Sequence, residues 1–148
     1  MNLKDLELVN ALDQNFYDSF NTFMISSDLK VFGKLLARTQ LFQSVKDIPG
    51  DIVECGVFRG TGLFTFLKLK RYFCPNTCKK IIGFDFFNSE ELTSTLSNQD
   101  KEAMTTLFKG RNFEHGISFK DELDFSIRKS GFSDHEYELI CGDISKSF

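Results

Sequence analysis

At 148 residues, with 41% hydrophobic residues and eighteen Phe, the chain suits one folded domain with an ample core and is expected to fold rather than stay disordered. A formal net charge of −3 and a pI near 5.4 exclude the basic face that nucleic-acid binding needs. No run approaches the roughly 18 apolar residues of a membrane span, and Asp5 and Glu7 stand where a signal peptide would be basic and then apolar, so a cytoplasmic location is expected.

From Leu3 to Phe23 the apolar residues Leu3, Leu6, Val9, Leu12, Phe16, Phe20 and Phe23 recur every three or four positions, which predicts an amphipathic helix. Ser26-Ser27-Asp28 is a capping cluster for a second helix, in which Val31, Phe32, Leu35, Leu36, Leu41 and Phe42 lead toward Val45 before Pro49-Gly50 stops it. The two helices read as a lid, as an interface through which copies of the chain pair, or as a plain cover on one edge of a sheet. We set a boundary after residue 47, with the ligand-binding unit in 48–148.

The run Gly50-Asp51-Ile52-Val53-Glu54-Cys55-Gly56-Val57-Phe58-Arg59-Gly60-Thr61-Gly62 is a short apolar strand that ends in an acid and then turns through glycines. Glycine lacks a Cβ, so the backbone can turn tightly off the strand and let a ligand lie against it; the alternative is an ordinary strand-to-helix turn. A helix follows from near Thr61, carrying Leu63, Phe64, Phe66, Leu67 and Leu69 and ending before Pro75. Its Lys68-Leu69-Lys70-Arg71 cluster suits the negative end of a helix dipole. Ile81 to Asp85 predicts a second strand, and Asp85 closes it roughly 20 to 30 residues beyond the glycines, near where a ribose-binding acid is expected. Residues 88–116 are polar, with one helical patch around Ala103, Met104, Leu107 and Phe108, and are expected to loop over the ligand side. Ser118 to Lys129 predicts a helix stopped by Gly131, and Tyr137 to Cys141 a third strand followed by Gly142-Asp143.

This order makes half of a doubly wound α/β sheet, with two helices in front of it. A three-stranded parallel sheet leaves an apolar edge unpaired, so we expect the chain to be a fragment or to pair with another chain. Cys55, Cys74, Cys78 and Cys141 form no paired Cys-x-x-Cys elements and are expected to be buried free thiols. No metal site is expected, because Cys74 and Cys78 have Pro75 between them and no nearby His. His115 and His135 lie in polar stretches and read as solvated surface residues. Asp121, Glu122 and Asp124 read as the acidic first turn of a helix.

Three phrases resemble the class I S-adenosylmethionine-dependent methyltransferases, and within them the macrocin O-methyltransferase type that modifies deoxysugars. Ile48-Pro49-Gly50-Asp51-Ile52-Val53-Glu54-Cys55-Gly56-Val57-Phe58-Arg59-Gly60 is similar to the first motif, Gly83-Phe84-Asp85-Phe86-Phe87 to the second, and Glu138-Leu139-Ile140-Cys141-Gly142-Asp143-Ile144 to the third. The family has a small residue, an aromatic and an acidic glycine turn after the second acid, whereas Phe86, Phe87 and Asn88 follow here.

The resemblance implies a Rossmann-like class I methyltransferase fold of which this is the first half, and S-adenosylmethionine as cofactor. Glu54, Gly56 and Gly60 are then expected along the methionine and ribose side, flanked by Val57 and Thr61. Asp85 is expected to accept hydrogen bonds from the ribose hydroxyls, or alternatively to cap a turn. Phe86 falls at the adenosine edge, and Asp143 beside the adenine amino group or in a plain turn. Arg59 is expected to meet the cofactor carboxylate or a structural acid such as Glu54. The family's metal-binding aspartates, which take Mg2+, and its catalytic base lie beyond its fourth strand, so no residue here is assigned the chemistry. The expected activity is O-methylation of a sugar hydroxyl on a deoxysugar, nucleotide-sugar or glycosylated metabolite. One competing reading is a truncated remnant or binding module. Another is an NAD(P)-dependent oxidoreductase, disfavoured because Gly56-x-x-x-Gly60-x-Gly62 is not G-x-G-x-x-G.

Overall fold

A computed structural model describes residues 3–88, 96–108 and 119–146, with the backbone alone at 3–13 and 104–108. The expected residue His115 and much of the expected loop over the ligand side lie outside the described residues. Compactness divides the chain into two units, Met1–Ala37 and Arg38–Phe148.

The first unit holds α1 (Leu3–Ile25) and the start of α2 (Leu29–Val45). Asp28 caps α2 as the sequence suggests: its Oδ1 accepts the amides of Lys30 at 2.8 Å and Val31 at 3.0 Å, satisfying two orphan donors of the first turn. Phe16, Phe20, Ile25, Leu29 and Leu36 are exposed. Among the described residues no helix is long and apolar enough to cross a membrane.

The second unit, Arg38–Phe148, takes in the last part of α2. The reason lies on one face of that helix: Phe42 is fully buried and its ring stands 6.3 Å from that of Phe73 at the end of α3. Arg38, four residues earlier, shares that face. The unit then runs through β1 (Ile52–Cys55), α3 (Thr61–Phe73), β2 (Ile81–Asp85), α4 (Asn98–Phe108), α5 (Phe119–Lys129), β3 (Tyr137–Cys141) and a 3-10 turn at Ile144–Lys146.

The three strands form one parallel sheet in the order β1-β2-β3, with Ile52 beside Ile81 and Ile81 beside Tyr137. Side chains alternate across a pleated strand, so Ile81 on β2 and Tyr137 and Leu139 on β3 face one way. There they meet Leu63 and Leu67 of α3, Leu123 and Ile127 of α5, and Val57, Phe87 and Phe132 from the connections, forming the core. A parallel strand cannot return by a tight hairpin, and its crossover supplies the helix that covers the sheet.

The cationic end of α3 does more than meet a dipole. Lys70 is buried with its Nζ 3.9 Å from Glu136 Oε1. Arg71 donates to Gly131 O and Glu136 Oε2, each at 3.0 Å, while its guanidinium lies 3.8 Å from the centre of the Phe132 ring. These contacts tie α3 to the turn that leads into β3.

The cysteines correct the sequence reading. They are free, but Cys55, Cys78 and Cys141 are exposed and Cys74 is half-buried. Cys55 shares its side of β1 with Val53, which is 47% exposed, away from the helices that cover the core face. Cys55 and Cys141 lie in apolar strand runs, which predicted burial, but those runs are the outer strands β1 and β3.

Candidate functional site

In open α/β sheets ligands bind outside the carboxyl ends of the strands, where helix N-termini also point. Here β1 and β2 each deliver an acid to that edge. Glu54 is the penultimate residue of β1, and Asp85 is the last of β2.

The Asp85 carboxylate holds the glycine turn. Its Oδ2 accepts the Phe58 amide at 2.7 Å, and its Oδ1 accepts the Phe87 amide at 3.1 Å. Phe58 and Phe87 are the non-glycine residues with positive φ among the described residues, each at 50°. A left-handed backbone is costly for a residue with a Cβ, and at both positions one carboxylate fixes the amide. An ionised carboxylate has about four lone-pair sites, so Asp85 keeps acceptor capacity after both bonds. The turn-capping reading and the ligand-binding reading are therefore compatible.

The glycines of the run serve three different ends. Gly56 has φ 82° and open space where a Cβ would stand, at the mouth of the strand. Its amide is taken by Phe84 O at 2.8 Å, so a ligand there would use the space above its Cα rather than its N–H. Gly60, with φ 80°, caps α3 in a left-handed conformation, and a Cβ there would meet Leu123 Cδ1 at 2.3 Å. A Cβ at Gly62 would fall 1.7 Å from Glu54 Oε1. Gly62 is thus the seat of the Glu54 carboxylate.

That carboxylate is largely enclosed, with its side chain 14% exposed. Glu54 Oε1 stands 3.5 Å from Arg38 Nη2, and the Leu63 amide in the first turn of α3 also donates to the carboxylate. Oε2 is buried with no hydrogen-bond partner. Burial pushes the Glu54 carboxyl above its ordinary value; Arg38 and the Leu63 amide oppose this, while the nearby Asp85 charge adds to it.

The remaining expected residues are spread around the same edge. Thr61 opens α3 and is exposed, and Arg59 is exposed in the turn before it. The partner of Glu54 is Arg38, not Arg59. Val57 turns its side chain into the core, where it is 4% exposed, so it supports the turn from beneath. Phe86 is half-buried beyond β2, with its carbonyl 3.0 Å from Cys141 Sγ. The Asp143 carboxylate accepts the Ser145 hydroxyl at 2.8 Å and the Ser145 amide at 3.0 Å, which hold it below its ordinary value. Gly142, just before it, has φ 127° and open space at its Cβ position.

Sequence reasoning missed Arg38 and Gly62. The i, i+4 spacing of Arg38 and the apolar Phe42 was a readable signal, but nothing local linked that helix face to an acid sixteen residues on. Gly62 was visible only as the last glycine of the run.

At the opposite end of the sheet lies a cavity of about 530 Å³ lined by Lys46, Asp51, Cys74, Cys78 and Lys79. The Lys79 ammonium there donates to Ile48 O at 2.6 Å and to Gly50 O, pinning the strand entry. Its polar groups serve the fold, and the glycine turn and both acids are at the other edge. Among the described residues no group of three or more His, Cys, Asp and Glu is placed to hold a metal ion.

The chain matches no protein-family model and no curated protein. Among solved structures it is similar to the crystal structure of CalS11, calicheamicin methyltransferase, with 22% identity over 78% of this chain and 46% of that chain and a TM-score of 0.57. It is also similar to the apo structure of CalS11, TDP-rhamnose 3'-O-methyltransferase, an enzyme in calicheamicin biosynthesis, with 23% identity over 81% of this chain and 45% of that chain and a TM-score of 0.48. The chain spans less than half the length of these solved chains. The first likeness shows the fold, a partial Rossmann-like methyltransferase fold of three parallel strands.

Proposed function

We propose that this chain binds S-adenosylmethionine at the carboxyl edge of its sheet, as the donor-binding part of an O-methyltransferase that acts on a sugar hydroxyl. The observation that carries the reading is the buried, unpartnered Oε2 of Glu54, beside the open space at Gly56 and the spare acceptor capacity of Asp85. An enclosed carboxylate oxygen without a donor is costly, and a cationic N–H ligand would satisfy it. The ammonium of the methionine moiety is such a group.

In this reading Glu54 accepts from that ammonium, and the backbone of Gly56, Gly60 and Thr61 lies along the ligand, with Val57 holding the turn from below. Arg59 meets the carboxylate, Asp85 accepts from the ribose hydroxyls, and Phe86 and Asp143 bound the adenosine end. The bound cofactor supplies a methyl group on a sulfonium, whose in-line displacement depends on how donor and acceptor are held. The sugar acceptor rests on the resemblance of the three motif phrases, which also favours this cofactor over a nicotinamide.

Calorimetric titration of the chain with S-adenosylhomocysteine and, separately, with NAD tests the reading. Saturable binding of the first and none of the second is expected. A folded chain that binds NAD and ignores S-adenosylhomocysteine would overturn it.

A further inference from the structure

Arg38 sits on α2, outside all three motif phrases, and reaches the acid at the end of β1. Its place is fixed from the same helix face by Phe42, fully buried one turn later and packed against Phe73. The Arg38 side chain is itself only 26% exposed, so the pair is partly shielded from water, and there opposite charges interact more strongly than at an open surface.

The groups that face the Glu54 carboxylate divide by effect. From α2 the Arg38 guanidinium favours the anion, and from α3 the Leu63 amide does the same. From β2 the Asp85 carboxylate opposes it, and enclosure opposes it more. Arg38 is the positive charge in this set. Its bond goes to Oε1, leaving Oε2 as the buried atom without a partner. A neutral carboxyl would have a donor on one oxygen, which repels an ammonium ligand; the ionised form offers acceptors only.

We propose that Arg38 is a positioning residue for ligand binding: it holds Glu54 as an anion, seated over Gly62 with Oε2 turned to the ammonium of an amino-acid-bearing ligand. The inference rests on the donor-site reading above and names the residue that makes its central acid competent. Arg38 touches Glu54 and is assigned no contact with the ligand.

Two readouts test this. Carboxyl 13C NMR follows the Glu54 titration in the ligand-free chain, and calorimetry follows S-adenosylhomocysteine affinity from acidic to neutral pH. Arg38→Gln is expected to raise the Glu54 midpoint by about one pH unit, since an opposite charge at this distance lowers a carboxyl by about 1–3 units. It should weaken binding by about tenfold at pH values below both midpoints, the effect of about one unit, with recovery toward higher pH. Arg38→Lys should restore much of both. Glu54→Gln should weaken binding at every pH and remove the pH dependence, and adding Arg38→Gln to it should cost little more. Because a partner that merely braces the fold would not move the pH profile, an unchanged Glu54 midpoint and unchanged affinity in Arg38→Gln would overturn the proposal alone. Absence of binding by the folded wild-type chain would overturn the donor-site reading and, with it, the role assigned to Arg38. If Arg38→Gln does not fold, Arg38→Lys and Glu54→Gln decide the matter by the same two readouts.

Discussion

The amide of Phe58 donates to Asp85 Oδ2 at 2.7 Å across 27 residues of sequence, joining the glycine turn after β1 to the end of β2. Phe58 has a left-handed backbone, and so does Phe87, whose amide reaches the other oxygen of the same carboxylate. One side chain thereby sets the shape of two loops that border the candidate site.

Asp85→Ala removes both acceptors. An unsatisfied amide costs about 1–3 kcal/mol when buried, and two left-handed residues lose what holds them. We expect a loss of about 2 kcal/mol in urea unfolding, together with loss of S-adenosylhomocysteine binding. Asp85→Asn keeps one acceptor oxygen and should lose less stability than Asp85→Ala.

Gly56 and Gly62 should respond differently to alanine. Gly62→Ala sets a Cβ against Glu54 Oε1 and must displace the carboxylate, so ligand affinity should fall sharply. Its stability change should be small, because relief of glycine in a helix, worth about 1 kcal/mol, offsets part of the clash. Gly56→Ala faces open space but holds φ 82°, so it should cost about 1–2 kcal/mol in backbone strain and also crowd the ligand. Paired denaturation and binding measurements separate the two patterns.

Two carboxyls should give opposite pH signatures in stability. At Glu54 burial outweighs Arg38, so the folded value lies above the ordinary 4.5. Its contribution is fully present below that value and is lost as pH rises through the folded one. Burial also pushes Glu136 upward, but the Ser133 amide and hydroxyl, with Arg71 and Lys70, outweigh it and hold the carboxyl below 4.5. Its contribution is present above 4.5 and lost as pH falls from there toward the folded value. Relative to the wild type, Glu54→Gln should therefore gain stability as pH rises from 4.5 toward neutrality. Glu136→Gln leaves the buried Lys70 facing a neutral group and should lose about 2 kcal/mol at neutral pH. That loss should shrink in acid. Urea unfolding of both variants over a pH series checks the two signs.

The cysteines offer a chemical check on the open side of the sheet. Cys55, Cys78 and Cys141 should react quickly with a thiol reagent in the native chain, and Cys74 more slowly, as read by mass spectrometry of digested samples. Protection of Cys55 would show its side of β1 to be covered.

Much of the fold was legible. Three-to-four spacing marked α1, α2, α3 and α5, and the short apolar runs ending in Glu54, Asp85 and Cys141 marked the strands. Their parallel pairing followed from the helices between them. The site was legible where a motif was local, as with Gly56, Asp85 and their spacing. It was not legible where function depended on packing between distant segments. Arg38 reaches Glu54 from a separate helix, Val57 turns inward to join the core cluster that holds Leu63, and Asp85 spends bonds on Phe58 and Phe87. Cysteine exposure failed for a related reason, since residue type predicts burial only when both sides of a strand are covered.

The central claim is that the ligand lies at the edge carrying Glu54 and Asp85, and amide chemical-shift mapping during titration with S-adenosylhomocysteine tests it most directly. We expect shifts at Gly56, Gly60, Thr61, Asp85, Phe86 and Asp143, with Lys46, Asp51, Cys78 and Lys79 at the opposite end unmoved. Shifts confined to that opposite cavity, or none at all in a folded chain, would contradict the account.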